Sequence, residues 1–271
     1  MNRKKAKALG QHFLRNRLIL KKIVQTIRPQ KSDLIIEIGP GKGALTLPLV
    51  TKAGQVIAIE KDRALAVFLQ KKDWPNLTIL EADILKVDFK KLLEGIPGEM
   101  VKLVGNLPYS ISSPLLFKIL ETKELFSECI FLFQKEFAER ICAQPGTKKY
   151  APLSILFQIH FFTKLHFFVP QDSFSPPPRV ESALISLLKR KRPLFQVEKE
   201  AFQKFLKGAF QHRRKTLFNN LIRLDYPSSL LSEAFHRFDL TATLRAEQLT
   251  ISQFVSLFNF LAEKTKEEQP A

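Results

Sequence analysis

Residues 34–44, Leu34-Ile35-Ile36-Glu37-Ile38-Gly39-Pro40-Gly41-Lys42-Gly43-Ala44, decide the fold. Leu34–Ile38 is short and apolar and reads as a buried strand. Glycines then alternate with Pro40 and Lys42, and Ala44–Thr51 reads as a helix. Downstream the alternation repeats. Gln55–Glu60 reads as a second strand and Arg63–Lys71 as a helix, followed by strands over Leu77–Leu80 and Met100–Gly105. A helix over Pro114–Leu120 and a strand over Cys129–Phe133 complete the series. Upstream, residues 18–27 place apolar side chains at helical spacing and stop before Pro29. Strands separated by helices predict an α/β fold, a parallel sheet covered on both faces.

After the sheet the texture changes. Phe161–Val169 and Ala183–Leu188 read as strands flanking the bend Phe174-Ser175-Pro176-Pro177-Pro178-Arg179, where three prolines exclude helix. Beyond residue 190 only helical patterns occur: Lys199–Ala209, Lys215–Leu224, Ser229–Phe235 and Ile251–Lys264. The expected organisation is a sheet domain over 1–190 and a small all-α domain over 191–271, joined through Lys189–Pro193. The tail after Lys264 is expected to fray.

The 271 residues are 45% apolar and 25% charged, ordinary globular material with only two cysteines. That cysteine count argues for a reducing compartment, and the basic N-terminus lacks the apolar core of a signal peptide. No apolar run reaches the ~18 residues of a membrane span. A cytoplasmic monomer with no membrane association is expected. Charge is more informative. The net +17 is concentrated: residues 1–31 hold ten basic and no acidic side chains, and residues 189–223 hold eleven basic against Glu198 and Glu200. Segregated positive charge on a near-neutral body points to a nucleic acid, since solubility alone needs only interspersed charge.

The glycine loop lacks both common phosphate-binding spacings. It is G-x-G-x-G rather than G-x-G-x-x-G, and Lys42 is followed by Gly43 where a P-loop needs Ser or Thr. A ligand without phosphates suits it better. Glu60, ending the second strand, can take both hydroxyls of an adenosine ribose, and Asp83, after the third, can accept from an adenine amine. A glycine loop at Gly39 and Gly41, a ribose carboxylate and an adenine-side aspartate at successive strand ends describe S-adenosyl-L-methionine.

Asn106-Leu107-Pro108-Tyr109 follows the fourth strand. An exocyclic adenine amine is a weak nucleophile because its lone pair is delocalised. Two acceptors, the Asn106 side-chain carbonyl and the Leu107 carbonyl, would hold its hydrogens and aim the nitrogen at a methyl group. Pro108 adds no competing N–H and fixes φ, and Tyr109 offers a face on which a flipped base can stack. Other chemistries find little support. The histidines at 12, 160, 166, 212 and 236 are scattered, and Cys129 and Cys142 have no metal-ligand spacing, so no metal is expected.

These residues resemble the ribosomal RNA adenine dimethyltransferase family over nearly the whole chain. The likeness is carried by Leu9-Gly10-Gln11-His12-Phe13-Leu14, EIGPGKGALT at 37–46, Glu60, Glu81-Ala82-Asp83, VGNLPYSIS at 104–112, QKEFAERI at 134–141, FSPPPRVESAL at 174–184, and residues 209–215. The resemblance implies a Rossmann-like methyltransferase sheet with cofactor contacts at His12, Leu14, Gly39, Glu60, Asp83 and Asn106. It implies that Asn106 to Tyr109 receive the target base, with Phe174 flanking that base opposite Tyr109, and that Arg213, Arg214 and Lys215 bind RNA. The implied reaction is N6,N6-dimethylation of two adjacent adenosines in a hairpin loop near the 3′ end of 16S rRNA, within the small ribosomal subunit. Two alternatives stay open: a related 23S rRNA methyltransferase of the macrolide-resistance type, which more often carries N-I-P-Y than N-L-P-Y, and a mainly non-catalytic ribosome-assembly factor.

Overall fold

The structure, a computed structural model, describes residues 11–97 and 101–267. Residues 1–10, with Leu9-Gly10 and the first cations of the arm, lie outside them, as do Met100 and the tail from 268. The first half of the chain contains β1 (Phe13–Leu14), α1 (Arg17–Ile27), β2 (Leu34–Ile38), α2 (Thr46–Val50), β3 (Gln55–Glu60), α3 (Arg63–Gln70), β4 (Leu77–Glu81), α4 (Phe89–Leu92), β5 (Val101–Asn106), α5 (Ser112–Glu121) and β6 (Glu128–Gln134). The second half contains α6 (Lys135–Ile141), α7 (Pro152–His160), β7 (Phe161–Val169), β8 (Phe174–Ser175), β9 (Ser182–Lys189), α8 (Lys199–Ala209), α9 (Leu217–Ile222), α10 (Ser228–Arg237) and α11 (Ile251–Glu267).

Packing divides the chain into a sheet unit, residues up to 138 with 162–189, and a helical unit, residues 139–161 with 190 onward. The expected division at 190 therefore needs one revision: residues 139–161 pack with the C-terminal helices. Helix α7 explains why the sequence did not announce this. Ser154 to Ile159 are all buried, so the helix shows no amphipathic stripe to read. Phenylalanines build the helical unit's interior, with Phe202 edge-on to Phe258 at 5.1 Å and Phe210 stacked on Phe254 at 5.5 Å.

In the sheet unit seven strands lie in the order β4-β3-β2-β5-β6-β9-β7. The first five are parallel, with Ile38 opposite both Ile59 and Gly105, Glu60 opposite Glu81, and Asn106 opposite Leu132. From β2 the chain moves outward through β3 and β4, then returns to the other side of β2 as β5. That reversal makes the carboxyl ends of β2 and β5 the switch point where such sheets bind ligands. The parallel sheet expected over residues 34–133 is extended by β9, which runs antiparallel to β6 with Gln134 opposite Ser182. Between β7 and β9 lie only the 3₁₀ turn Gln171–Ser173 and β8, with no α-helix, so the crossover that a parallel neighbour of β7 requires is not available there.

Local signals set most element ends. Asn16 caps α1 by accepting from Leu18 and Ile19 amides, and Asp62 caps α3 by accepting from Ala64 N at 2.8 Å. The helix expected over 44–51 contracts to α2, because Gly41 and Gly43 turn with φ of +59° and +82°. The helix expected from Lys215 starts at Leu217, capped by Thr216.

Candidate active site

The carboxyl ends of four adjacent parallel strands deliver the expected residues in a row: Asp83 after β4, Glu60 ending β3, Gly39 and Gly41 after β2, and Asn106 ending β5. They line a single cavity of about 750 Å³, within the ~300–1,000 Å³ usual for small-molecule sites. His12, Leu14, Leu107, Pro108 and Tyr109 line it too. Gly105 makes this row possible, since a Cβ there would lie 2.8 Å from the Ile38 carbonyl oxygen.

All three glycine amides of the loop are engaged internally. Gly39 N donates to the Ile59 carbonyl at 2.9 Å, Gly43 N to the Pro40 carbonyl at 2.9 Å, and Gly41 N to Glu60 Oε2 at 3.1 Å. A phosphate would find none of them free, which agrees with the spacing argument. Glu60 is buried and its other oxygen accepts from Asp62 N at 2.8 Å. Burial raises its pKa, opposed by those two amides. Asp83 is held ionised below its usual range, chiefly by the Lys61 ammonium at 2.8 Å, while Leu85 N donates to its second oxygen.

Glu37 was not assigned by motif, although an acid inside the apolar run Leu34–Ile38 is itself a signal. It lines the cavity at 2% exposure, and its Oε2 has no hydrogen-bond partner among the described residues. Burial pushes its carboxyl up to about 8. Glu60, Asp83, the unpartnered Glu37 carboxyl and a glycine cradle suit a ligand carrying hydroxyls and an amine. S-adenosylmethionine fits this donor set.

The arm residues close one side. Strand β1 pairs antiparallel with β8, Leu14 opposite Phe174 and Phe13 opposite Ser175. His12 Nδ1 donates to the Pro176 carbonyl at 2.8 Å, so in the neutral ring Nε2 is the nitrogen left for a ligand. The His12 ring lies over Tyr109 with centroids 5.9 Å apart. The Tyr109 hydroxyl is anchored on Ser182 Oγ at 2.8 Å, and burial raises its pKa. Asn106 Nδ2 donates to the His12 carbonyl at 2.8 Å, which leaves Oδ1 as the acceptor end of the amide.

One expected residue moves out of the site. Phe174 is 3% exposed, does not line the cavity, and packs in the core with Ile23, Val24, Val169 and Leu184. Strand alternation is the reason: Phe174 points inward, so Ser175 faces the cavity. Arg213, Arg214 and Lys215 are exposed in the helical unit, in the turn between α8 and α9. Among the described residues no group of three or more His, Cys, Asp and Glu is placed to hold a metal, and no helix is long and apolar enough to cross a membrane.

Residues 2–263 match the family described as ribosomal RNA adenine dimethylase. The chain is 40% identical over 256 residues to the ribosomal RNA small subunit methyltransferase A of Geobacter metallireducens, covering 93% of each. Its identity to the protein of that name from Streptococcus mutans is 41% over 266 residues, covering 95% of this chain and 91% of that one. Among solved structures, a dimethyladenosine transferase from Plasmodium falciparum superposes with a TM-score of 0.80 at 28% identity, covering 94% of this chain and 98% of that one. The 23S rRNA methyltransferase ErmE gives 0.72 at 26% identity, covering 92% and 99%. With cavity, strand-end residues and N-L-P-Y segment in this arrangement, the chain belongs to the ribosomal RNA adenine dimethylase family.

Proposed function

We propose that this protein methylates the N6 amines of two adjacent adenosines in a hairpin loop near the 3′ end of 16S rRNA, using S-adenosyl-L-methionine, within the small ribosomal subunit. The observation that carries the reading is the orientation of Asn106. With Nδ2 tied to the His12 carbonyl, Oδ1 is the end of the amide free to accept a hydrogen from an adenine amine.

The bound cofactor supplies an electrophilic methyl group on a sulfonium. Glu60, already fixed by Gly41 N and Asp62 N, holds the ribose hydroxyls. Asp83 accepts from the cofactor's adenine, and Glu37 offers the cofactor its unpartnered oxygen as a hydrogen-bonding group. Asn106 Oδ1 and the Leu107 carbonyl take the two amine hydrogens of the target, turning its lone pair toward the methyl. Tyr109, anchored on Ser182, supplies the stacking surface. No strong base is needed: alignment of nucleophile and donor can contribute ~7–11 kcal/mol, and the proton is lost to water once the nitrogen is alkylated.

The basic arm and the turn at Arg213, Arg214 and Lys215 hold the RNA mainly through phosphates. The protein acts as a cytoplasmic monomer, and occupying immature subunits until both adenosines are modified gives it a role in assembly. The test uses radiolabelled S-adenosylmethionine with undermethylated small subunits, naked rRNA and large subunits. Label recovered as dimethyladenosine from small subunits is the expected result. Label in large-subunit RNA would reassign the substrate, and binding without label would leave an assembly factor only.

A further inference from the structure

Residues 142–151 of the helical unit have no regular structure, yet they are fastened at several points. Gly146 N donates to the Glu247 carbonyl at 2.7 Å, and Gln158 Nε2 to the Ile141 and Ala143 carbonyls at 3.2 and 2.8 Å. Thr147 Oγ1 donates to the Gln144 carbonyl at 2.8 Å, and Tyr150 is fully buried against Phe210. A side-chain fastening comes from Arg213. Its Nη2 donates to the Lys148 carbonyl at 2.6 Å and reaches the Tyr150 carbonyl at 3.5 Å.

Surface loops rich in glycine, proline and lysine ordinarily move. This one is held from both sides, and what it leaves outside is positive. Residues 144–149 and 211–215 together contain Lys148, Lys149, Arg213, Arg214 and Lys215 and no acidic residue. All five are exposed. Lys149 is paired with Glu139. The side-chain nitrogens of Lys148, Arg214 and Lys215 have no partner among the described residues.

Resting on the RNA partner proposed above, we infer that loop 144–149 and turn 211–215 form one preorganised edge for an RNA phosphodiester backbone. Lys148, Arg214 and Lys215 take phosphates. Arg213 is a positioning residue, its guanidinium holding the loop so that Lys148 is presented in place. The division of labour follows from donor geometry, because a planar fork can bind two carbonyls of one loop while a lysine offers only a point charge. Ordering the loop before contact removes an entropic cost from binding. RNA fits better than a lipid surface: neither segment carries a Trp, Phe, Leu or Ile beside its cations, as interfacial membrane binders do.

The experiment measures binding of the full-length protein to a 16S 3′-hairpin RNA across a salt series, with amide hydrogen exchange on the same variants. Lys148→Ala and Arg214→Ala should each weaken binding about three- to tenfold and lower the slope of log K against log salt by roughly 0.7–0.9, the loss of one phosphate contact. Arg213→Ala and Arg213→Lys should both weaken binding and speed exchange at amides 146–150. Arg214→Ala should leave that exchange unchanged. Wild-type affinity and slope in Lys148→Ala would overturn the inference, as would Arg213→Lys binding like wild type with an unchanged exchange pattern. Binding to phosphatidylglycerol vesicles that depends on Lys148, with RNA binding indifferent to it, would also overturn it. Methyl transfer by the wild type is recorded in parallel. Its absence with the expected variant pattern would sink the proposed chemistry but not the edge, and full transfer with an indifferent Lys148→Ala would sink the edge alone.

Discussion

The side-chain amide of Asn106 donates to the main-chain carbonyl of His12 at 2.8 Å, across 94 residues of sequence. The arm that pairs with β8 thereby dictates which end of the amide faces the cavity.

Asn106→Ala should therefore lower single-turnover methyl transfer by about 10²–10³-fold, the loss seen when one preorganised polar partner of a transition state is removed. Cofactor affinity, which the proposed reading assigns mostly to Glu60 and Asp83, should fall by less than about tenfold, as read by calorimetric titration. Asn106→Asp keeps an acceptor but sets a carboxylate oxygen against the His12 carbonyl, so it should not restore activity. Full transfer in either variant would remove Asn106 from the chemistry.

Gly41→Ala tests the cradle. A Cβ there would sit 2.9 Å from the Phe13 ring, at a φ of +59° that side chains rarely adopt. The loop must shift, and with it the amide that holds Glu60. Affinity for S-adenosylhomocysteine should drop at least about tenfold, about 1.4 kcal/mol, by calorimetry. Unchanged binding would show that the arm yields easily.

Glu37 gives a pH prediction. The folded protein keeps its proton to about 8, whereas the unfolded chain releases it near 4.5. Folding thus takes up a proton between those values, and stability falls as pH rises through that window, by ~1.4 kcal/mol for each unit fully traversed. Glu37→Gln should remove this slope. Thermal melts from pH 5 to 9 should show the variant gaining on the wild type as pH increases, and parallel curves would contradict the buried neutral carboxyl.

Lys102 probes the opposite, amino-terminal ends of the strands. Its ammonium donates to Asp33 Oδ2 at 2.7 Å and to the Ile27 and Arg28 carbonyls at 3.2 and 3.1 Å, closing the end of α1. Both side chains of the pair are largely buried, at 14% and 11% exposure. Lys102→Met leaves Asp33 without its cation and should cost about 2–3 kcal/mol, below the ~3–5 of a fully buried pair. The melting temperature should fall by several degrees while transfer per folded molecule at low temperature stays at wild-type level, because ligands bind at the other strand ends.

Residues 34–106 were readable because each piece carries a local cause: apolar runs for strands, glycines where φ turns positive, and acids at strand ends. Strand order along the sheet then brings Asp83, Glu60, Gly41 and Asn106 together by a rule of topology, so the cavity itself was anticipated. The segments at 135–160 were not. Helix α7 is buried continuously over Ser154–Ile159 and shows no periodic stripe, and residues 139–161 join the helical unit through long-range packing.

By itself the sequence determined the α/β class, the strand-end residues that line the cavity, the N-L-P-Y segment and the two cationic segments, all of which depend on residue type and near-neighbour spacing. Only the tertiary structure decided that Phe174 is core while Ser175 faces the cavity, and that His12 uses Nδ1 on Pro176. It also decided that Glu37 Oε2 lacks a hydrogen-bond partner and that Arg213 grips the Lys148 carbonyl. Each of these depends on which distant backbone atoms meet a side chain, and pairing across 65 to 164 residues leaves no local signature.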